Sequence, residues 1–348
     1  MSTFDRIAGL PLEIEGYALE PREQNVSSGF LRRTTTIHLA GGGHEGLGED
    51  VAYDGDDQEA LQRAGAVQPL AGSWTLASYC EHVEGLDLWP EPARHAASVD
   101  YRIWAYESAA LDLALRQAGT TLHGLLGREL RPVTFVCSKR IENADIAPLL
   151  GLLERYPTLR FKLDPQPEWD DALIARLVAT GAIDSLDYKG LYEGTSVDVP
   201  ADPVFYRRIA EGFPDAWLED PKLTPETDAV LEPHRARVTW DAPIHSVDDI
   251  DALPFAPQMV NVKPSRFGPL RELLRAYDTC AERGIGMYGG GQFELGVGRG
   301  QIQYMASLFH PDGPNDVAPT GYNEPVPPDG LPASPLPVAA HDLGLRWG

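Results

Sequence analysis

The chain has 348 residues, 43% of them hydrophobic, and a formal net charge of −23. So acidic a surface repels phosphate backbones and anionic lipid, so nucleic acid and membrane partners are not expected, and no apolar run is long enough to span a bilayer. Cys80, Cys137 and Cys280 are far apart and odd in number, which argues for a reducing, cytoplasmic setting and against a disulfide framework or a zinc site.

The N-terminus, MSTFDRIAGLPLEIEGY, lacks the basic-then-apolar pattern of a signal peptide. Asn25-Val26-Ser27 is therefore read as a chance sequon. Residues 12–54 are predicted to be β structure, with PLEIEGYALE, RRTTTIHLA and GLGEDVAYD as strands. EPREQNVSSGFLRR, between the first two, reads as a polar loop ending in Arg32 and Arg33. Gly41, Gly43 and Gly46 form a G-x-G-x-x-G, but a strand follows rather than a helix, so a hairpin is the better reading. Helices are predicted over Asp57–Ala64, Thr75–Glu84 and about Ser98–Ala118, the last with Ser98 as its cap. These elements make an α+β domain over residues 1–128.

From Pro132 the pattern alternates strand and helix. The strands are VTFVCS, LRFKLD, IDSLDYK, AWLED, VTWDA, MVNVK and GIGMYGG, with helices such as DIAPLLGLLERY and VGRGQIQYMASLF between or after them. A right-handed series of about seven βα units is expected over residues 129–320. Residues 321–348 are rich in proline and lack periodicity. They are expected either to pack back over the surface or to be partly disordered.

Steps of 22 residues separate Glu219, Asp241 and Lys263, each at the end of a short apolar run. In a parallel barrel such strand ends share one rim, where barrel enzymes keep their chemistry. The other ends supply Ser138 and Lys139, Lys162 and Asp164, Asp187 and Lys189, and Glu294 after the seventh strand. Asp220 is expected to point away from Glu219. A single acid at such a position is better read as a cap or a salt bridge. Three carboxylates on successive strands, Asp187, Glu219 and Asp241, cannot all stay charged in a cleft unless a cation offsets them. Oxygen-only ligands favour Mg2+. Lys263 near such a cation and out of water would have a lowered pKa and could serve as a base near neutral pH.

These segments resemble the enolase superfamily, in the subgroup of muconate-lactonizing enzymes and o-succinylbenzoate synthases. RTTTIHLAGGGHEGLGE, SAALDLALRQAGTTLHGLLG, RFKLD, LDYKG, WLEDP, WDAPIHS, VNVKPSRFG and GGGQFELGVGRG carry the resemblance, WLEDP and VNVKPSRFG most specifically. It implies a capping domain on a (β/α)7β modified TIM barrel, Mg2+ on Asp187, Glu219 and Asp241, and Lys263 as an acid/base group. Pairing a lysine with magnesium is the general design given for enolase-type sites.

The departures bear on the reaction. The subgroup has lysine at both positions of K-x-K on the second strand. Direct alignment of RFKLD puts Lys162 first and Asp164 at the base position; a two-residue shift makes Lys162 the second lysine and Arg160 the first. Lys189 stands where asparagine is usual, and no His–Asp dyad follows strand seven. His245 is read as a surface or substrate-contact group. Arg32, Lys139 and Glu294 are the other candidate substrate contacts, and Lys263, Lys162, Asp164 and Lys189 the candidate catalytic set. If Asp164 replaces a lysine, one strong base remains, which favours a dehydratase-like lyase over a racemase. The substrate is expected to be a small carboxylic acid, and the protein a homo-oligomer. Racemase, epimerase or cycloisomerase activity, a Schiff-base aldolase, and a catalytically silent metal-binding barrel are the alternatives.

Overall fold

The structure, a computed structural model, describes residues 1–26, 29–192 and 198–348. Ser27 of the sequon, Ser27 and Ser28 of the expected polar loop, and residues 193–197 of the turn after Asp187 lie outside the described residues. No helix among the described residues is long and apolar enough to cross a membrane.

The N-terminal domain opens with β1 (Pro11–Ile14), β2 (Gly16–Asn25), β3 (Leu31–Gly41) and β4 (His44–Asp50). The helix α1 (Gly55–Ala64), β5 (Gly72–Thr75), α2 (Leu76–Glu84), α3 (Ser98–Gln117) and α4 (Leu122–Leu126) complete it. PLEIEGYALE is not one strand. β1 pairs antiparallel with β5, while β2 joins the sheet β2–β3–β4. The expected loop EPREQN…LRR is largely strand, since Arg22 pairs with Thr34 and Gln24 with Arg32 across β2 and β3. Alternating exposure along β2 hides it in the sequence, because its outward face is polar.

The glycine turn is the hairpin expected. Gly41 pairs with His44, and Gly42 and Gly43 both take positive φ, at 56° and 74°. A two-residue turn with both φ positive matches the twist of its strands, and glycine adopts it without strain. Ser98 does not cap α3; the N-cap is Ala97, with no side-chain bond, and Ser98 is buried as the first helical residue. Burial runs round most of α3, through Trp104, Tyr106, Ala109, Leu111 and Leu113. A helix buried nearly all round must be covered nearly all round, and its buried charged residues Arg102, Glu107 and Asp112 are hydrogen-bonded. Here β4 covers one side and a short helix of the barrel another.

The C-terminal domain alternates as expected. Its strands are β6 (Val136–Arg140), β7 (Arg160–Asp164), β8 (Ile183–Asp187), β9 (Trp217–Glu219), β10 (Val238–Trp240), β11 (Met259–Asn261) and β12 (Gly286–Tyr288). The helices are α5 (Ala147–Arg155), α6 (Asp171–Ala179), α7 (Pro203–Gly212), α8 (Pro225–Leu231), α9 (Val247–Asp251), α10 (Pro264–Phe267), α11 (Leu270–Arg283) and α12 (Val297–Phe309). The seven strands form one parallel sheet in sequence order. Single bridges from Phe135 to Asn315 and from Gly290 to Asp316 join its two edges to one short segment. That segment takes the place of an eighth strand and closes the sheet, giving a (β/α)7β barrel under an α+β cap.

The tail packs back rather than hanging free. Leu336 pairs with Val133, Gly344 with Thr121, and Leu345 and Trp347 are buried. Asp112 of α3 receives the backbone N–H of Leu345 at 2.9 Å and Nε of Arg346 at 2.8 Å.

Candidate active site and metal centre

Short strands set the site. β8, β9 and β10 are neighbours, with Asp187 level with Glu219 and Glu219 level with Thr239. The carboxylates of Asp187 and Glu219 therefore share the rim, and Asp241 follows one residue past β10. All three are buried.

Asp220 corrects the sequence reading. It does not point away. Its backbone turns to φ 49°, a left-handed conformation rare outside glycine. This brings one carboxylate oxygen of Asp187, Glu219 and Asp220 each within 4.8 Å of the others. The Asp220 carboxylate also accepts the backbone N–H groups of Asp241 at 2.8 Å and Ala242 at 2.9 Å. It thus fixes the turn that carries Asp241. Asp241 itself is held by Lys263 Nζ at 2.7 Å and Arg266 Nη1 at 2.9 Å.

Two lysines enclose these acids from strands on either side of them. Lys162 on β7 reaches Glu219 Oε1 at 2.5 Å and Asp187 Oδ2 at 3.3 Å, with Asp316 at 3.9 Å. Lys263 follows β11. Lys162 therefore contacts Glu219 and Asp187 directly. The pairing of β7 with β8 shifts register between Phe161 and Lys162, an irregularity of the kind that re-aims side chains next to sites. Asp164 meets Lys189 at 3.6 Å instead. Lys189 lies beyond the end of β8 at φ 55°, and its ammonium binds the Asp187 carboxylate.

The electrostatics follow from burial. Burial pushes the Glu219 carboxyl up to about 7, with Asp187 and Asp241 adding to the rise against Lys162. Asp220 is raised too, by burial and then by Asp241, Asp187 and Glu219. Asp241 goes the other way: burial opposes the charge, but Arg266, Lys263 and Lys162 hold it below the usual carboxylate range. Burial lowers the Lys263 ammonium against the pull of Asp241. Among the described residues of the rim, the carboxylates Asp164, Asp187, Glu219, Asp220, Asp241 and Asp316 face Lys162, Lys189, Lys263 and Arg266. Six carboxylates thus crowd against four cations, and burial with mutual repulsion pushes the Glu219 and Asp220 carboxyls toward their neutral forms. Glu219 Oε2 is buried with no hydrogen-bond partner. A hard divalent cation fits both the crowding and the unpartnered oxygen, and the donors are all oxygen. Asp187 and Glu219 could hold it, with a third oxygen from Asp220, which clusters with them, or from the neighbouring buried Asp241.

The other expected contacts are engaged elsewhere. Arg32 is fully buried and gives its guanidinium to the carbonyls of Val51, Ala52 and Gln292 at 2.6–2.9 Å. It ties the cap to the loop after β12. Glu294 accepts the N–H of Gln292 at 2.6 Å and lies 3.0 Å from Arg299. Lys139 Nζ donates to the Tyr322 carbonyl at 2.9 Å. His245 lies 3.7 Å from Asp100 of the cap. Arg266 and Asp316 belong to the acid–lysine cluster and were not singled out from the sequence. Arg266 stands three residues past Lys263 on α10, one helical turn, which was a usable signal. Asp316 had none, since its strand is reduced to isolated bridges.

Both domains match a described family. The model of the domain of unknown function (DUF8230) N-terminal domain matches residues 5–125, and that of its C-terminal domain residues 129–324. The o-succinylbenzoate synthase of Geobacillus stearothermophilus is 31% identical over 224 residues, covering 62% of this chain and 58% of that protein. The N-succinylamino acid racemase of Thermus thermophilus is 26% identical over 307 residues, covering 82% of this chain and 78% of that protein. The chain thus spans under two thirds of the first of these relatives. A solved enolase-superfamily member from Listeria innocua Clip11262 superposes with a TM-score of 0.68 at 17% identity, covering 97% of this chain and 93% of that one. The resemblance to the enolase superfamily read from the strand ends is borne out in these relatives and in the fold. The chain belongs to the family described as the domain of unknown function DUF8230, built on the enolase-superfamily fold.

Proposed function

We propose that the protein is a magnesium-dependent enzyme that removes the proton α to a carboxylate of a small organic acid, acting as a dehydratase-like lyase. One observation carries this reading: two buried lysines, Lys162 and Lys263, face a cluster of buried carboxylates from opposite strands. Magnesium held by Asp187, Glu219 and Asp241, with Asp220 fixing the Asp241 turn, would supply positive charge to the substrate carboxylate as the enolate forms. Lys263 takes the α-proton. Its ammonium has one carboxylate partner, Asp241, shared with Arg266. Lys162 is gripped by Glu219 and Asp187 and serves as a fixed ammonium on the other side. Such inequality suits elimination, in which Lys263 takes the α-proton, the Cα–Cβ double bond forms, and the β-hydroxyl leaves as water with a proton from the Lys162 ammonium.

A second reading, a racemase or epimerase, is favoured by the same Lys162. A lysine on each side of an enolate permits proton return to either face. The name of the Thermus relative is of this kind. The test is a panel of carboxylic acids incubated with protein and Mg2+ in heavy water. Magnesium-dependent exchange of the α-proton is expected. Exchange that survives chelation contradicts the metal role, and none from any acid favours the silent metal-binding barrel.

A further inference from the structure

Lys189 is an unusual neighbour for a metal ligand. It holds both oxygens of one carboxylate: its backbone N–H donates to Asp187 Oδ1 at 3.0 Å, and its ammonium binds Oδ2. The grip depends on a left-handed backbone at Lys189, φ 55°, secured by the bond from Gly190 N–H to the Asp220 carbonyl at 3.2 Å. Strain of this kind persists where the surroundings impose it, and it concentrates at functional sites. Asp164 also pairs with this ammonium, 3.6 Å from Nζ. Its Oδ1 is buried and has no hydrogen-bond partner. Tyr192 places its ring 5.2 Å from the same nitrogen.

We infer that Lys189 is an internal competitor for the metal, its ammonium occupying Asp187 until a divalent cation displaces it onto Asp164. This rests on the proposed metal site and deepens it. A cation arriving at Asp187 meets a unit positive charge already on that oxygen, and the two repel at short range. Binding therefore requires the ammonium to leave Asp187, and Asp164, already 3.6 Å from Nζ, gives it a second carboxylate. Asp164 Oδ1, which has no hydrogen bond, then receives the ammonium directly, and the lysine need not be desolvated without a counter-ion. The protein would bind magnesium weakly and respond to its concentration.

Calorimetric titration with Mg2+ and Mn2+ tests this without a substrate. Lys189→Met should tighten binding at least about tenfold, from loss of a like charge beside the ligand. Asp164→Asn should weaken it several-fold, because the displaced ammonium loses its destination. The double variant should match Lys189→Met alone, since Asp164 acts only through the ammonium. Affinity in Lys189→Met within twofold of wild type would overturn the inference. So would weaker binding there with the thermal transition intact, which would make Lys189 a brace for Asp187. Should Lys189→Met not fold, Asp164→Asn decides by itself: unchanged affinity overturns the inference. Wild-type protein that takes up neither ion would overturn the metal site itself, an outcome distinct from an unaltered affinity.

Discussion

Lys162 and Lys263 reach the acids from β7 and from the end of β11, yet their surroundings differ. Lys263→Ala should abolish exchange of the α-proton on any acid the protein turns over, a loss of about 10²–10⁴ in rate, while affinity stays within about tenfold. Retained exchange would remove Lys263 from the base position. Lys162→Ala separates the two reaction types. For a lyase, wild type exchanges the α-proton of one enantiomer only, and the variant loses turnover without changing that preference. Comparable wild-type exchange from both enantiomers, lost from one in Lys162→Ala, would mean two competent bases and a racemase. Most of this cluster was legible in the sequence, because strand ends on one rim come from neighbouring strands. Asp187, Glu219, Asp241 and Lys263 needed only that rule. Which of Lys162 and Asp164 meets Glu219 was not legible, because two registers of RFKLD fit the alternation equally; in the fold it is Lys162. Asp220 was misplaced for a local reason: alternation assumes extended backbone, and its positive φ breaks the pattern.

At the scale of elements, α3 couples the cap to the barrel through a buried acid. Glu107 receives the N–H of Leu270, the first residue of α11, at 2.5 Å. The N-terminus of a helix favours negative charge, but burial dominates and pushes the Glu107 carboxyl up to about 8. The folded state therefore keeps a proton that the unfolded chain releases near the ordinary glutamate value of about 4.3. Its contribution to stability is complete below that value and is lost as pH rises through about 8. Glu107→Gln removes the titration and leaves an oxygen for Leu270. Between pH 5 and 8.5, wild type should lose stability relative to this variant, on the order of a few kcal/mol in denaturant titrations. Parallel pH profiles would contradict the assignment. Helices and barrel strands were legible because their periods are clean. The strand content of residues 20–25 was not, since a strand with one polar, solvated face reads as loop.

Across the whole molecule, one chain end locks the other domain. Asp112 of α3 accepts the N–H of Leu47 at 3.0 Å and of Leu345 at 2.9 Å, and pairs with Arg116 and Arg346. Asp112→Ala strands buried donors and two guanidinium groups, and should cost about 3 kcal/mol or more in denaturant unfolding. An unchanged midpoint would show that the tail is held by Leu345 and Trp347 alone. The sequence left this segment open between packing and disorder, because proline-rich chain has no periodicity to read and many of its partners, from Tyr156 to Asp112, lie far back along the chain. The barrel strands bring a cluster of buried carboxylates to one rim, more of them than the facing lysines and Arg266 pair one to one. The most direct measurement is calorimetric titration of metal-free protein with Mg2+, wild type beside Glu219→Gln. One ion per chain is expected for wild type, with binding lost in Glu219→Gln while its circular dichroism and thermal transition are kept. Equal affinity in the two proteins would contradict a metal-assisted site built on Glu219.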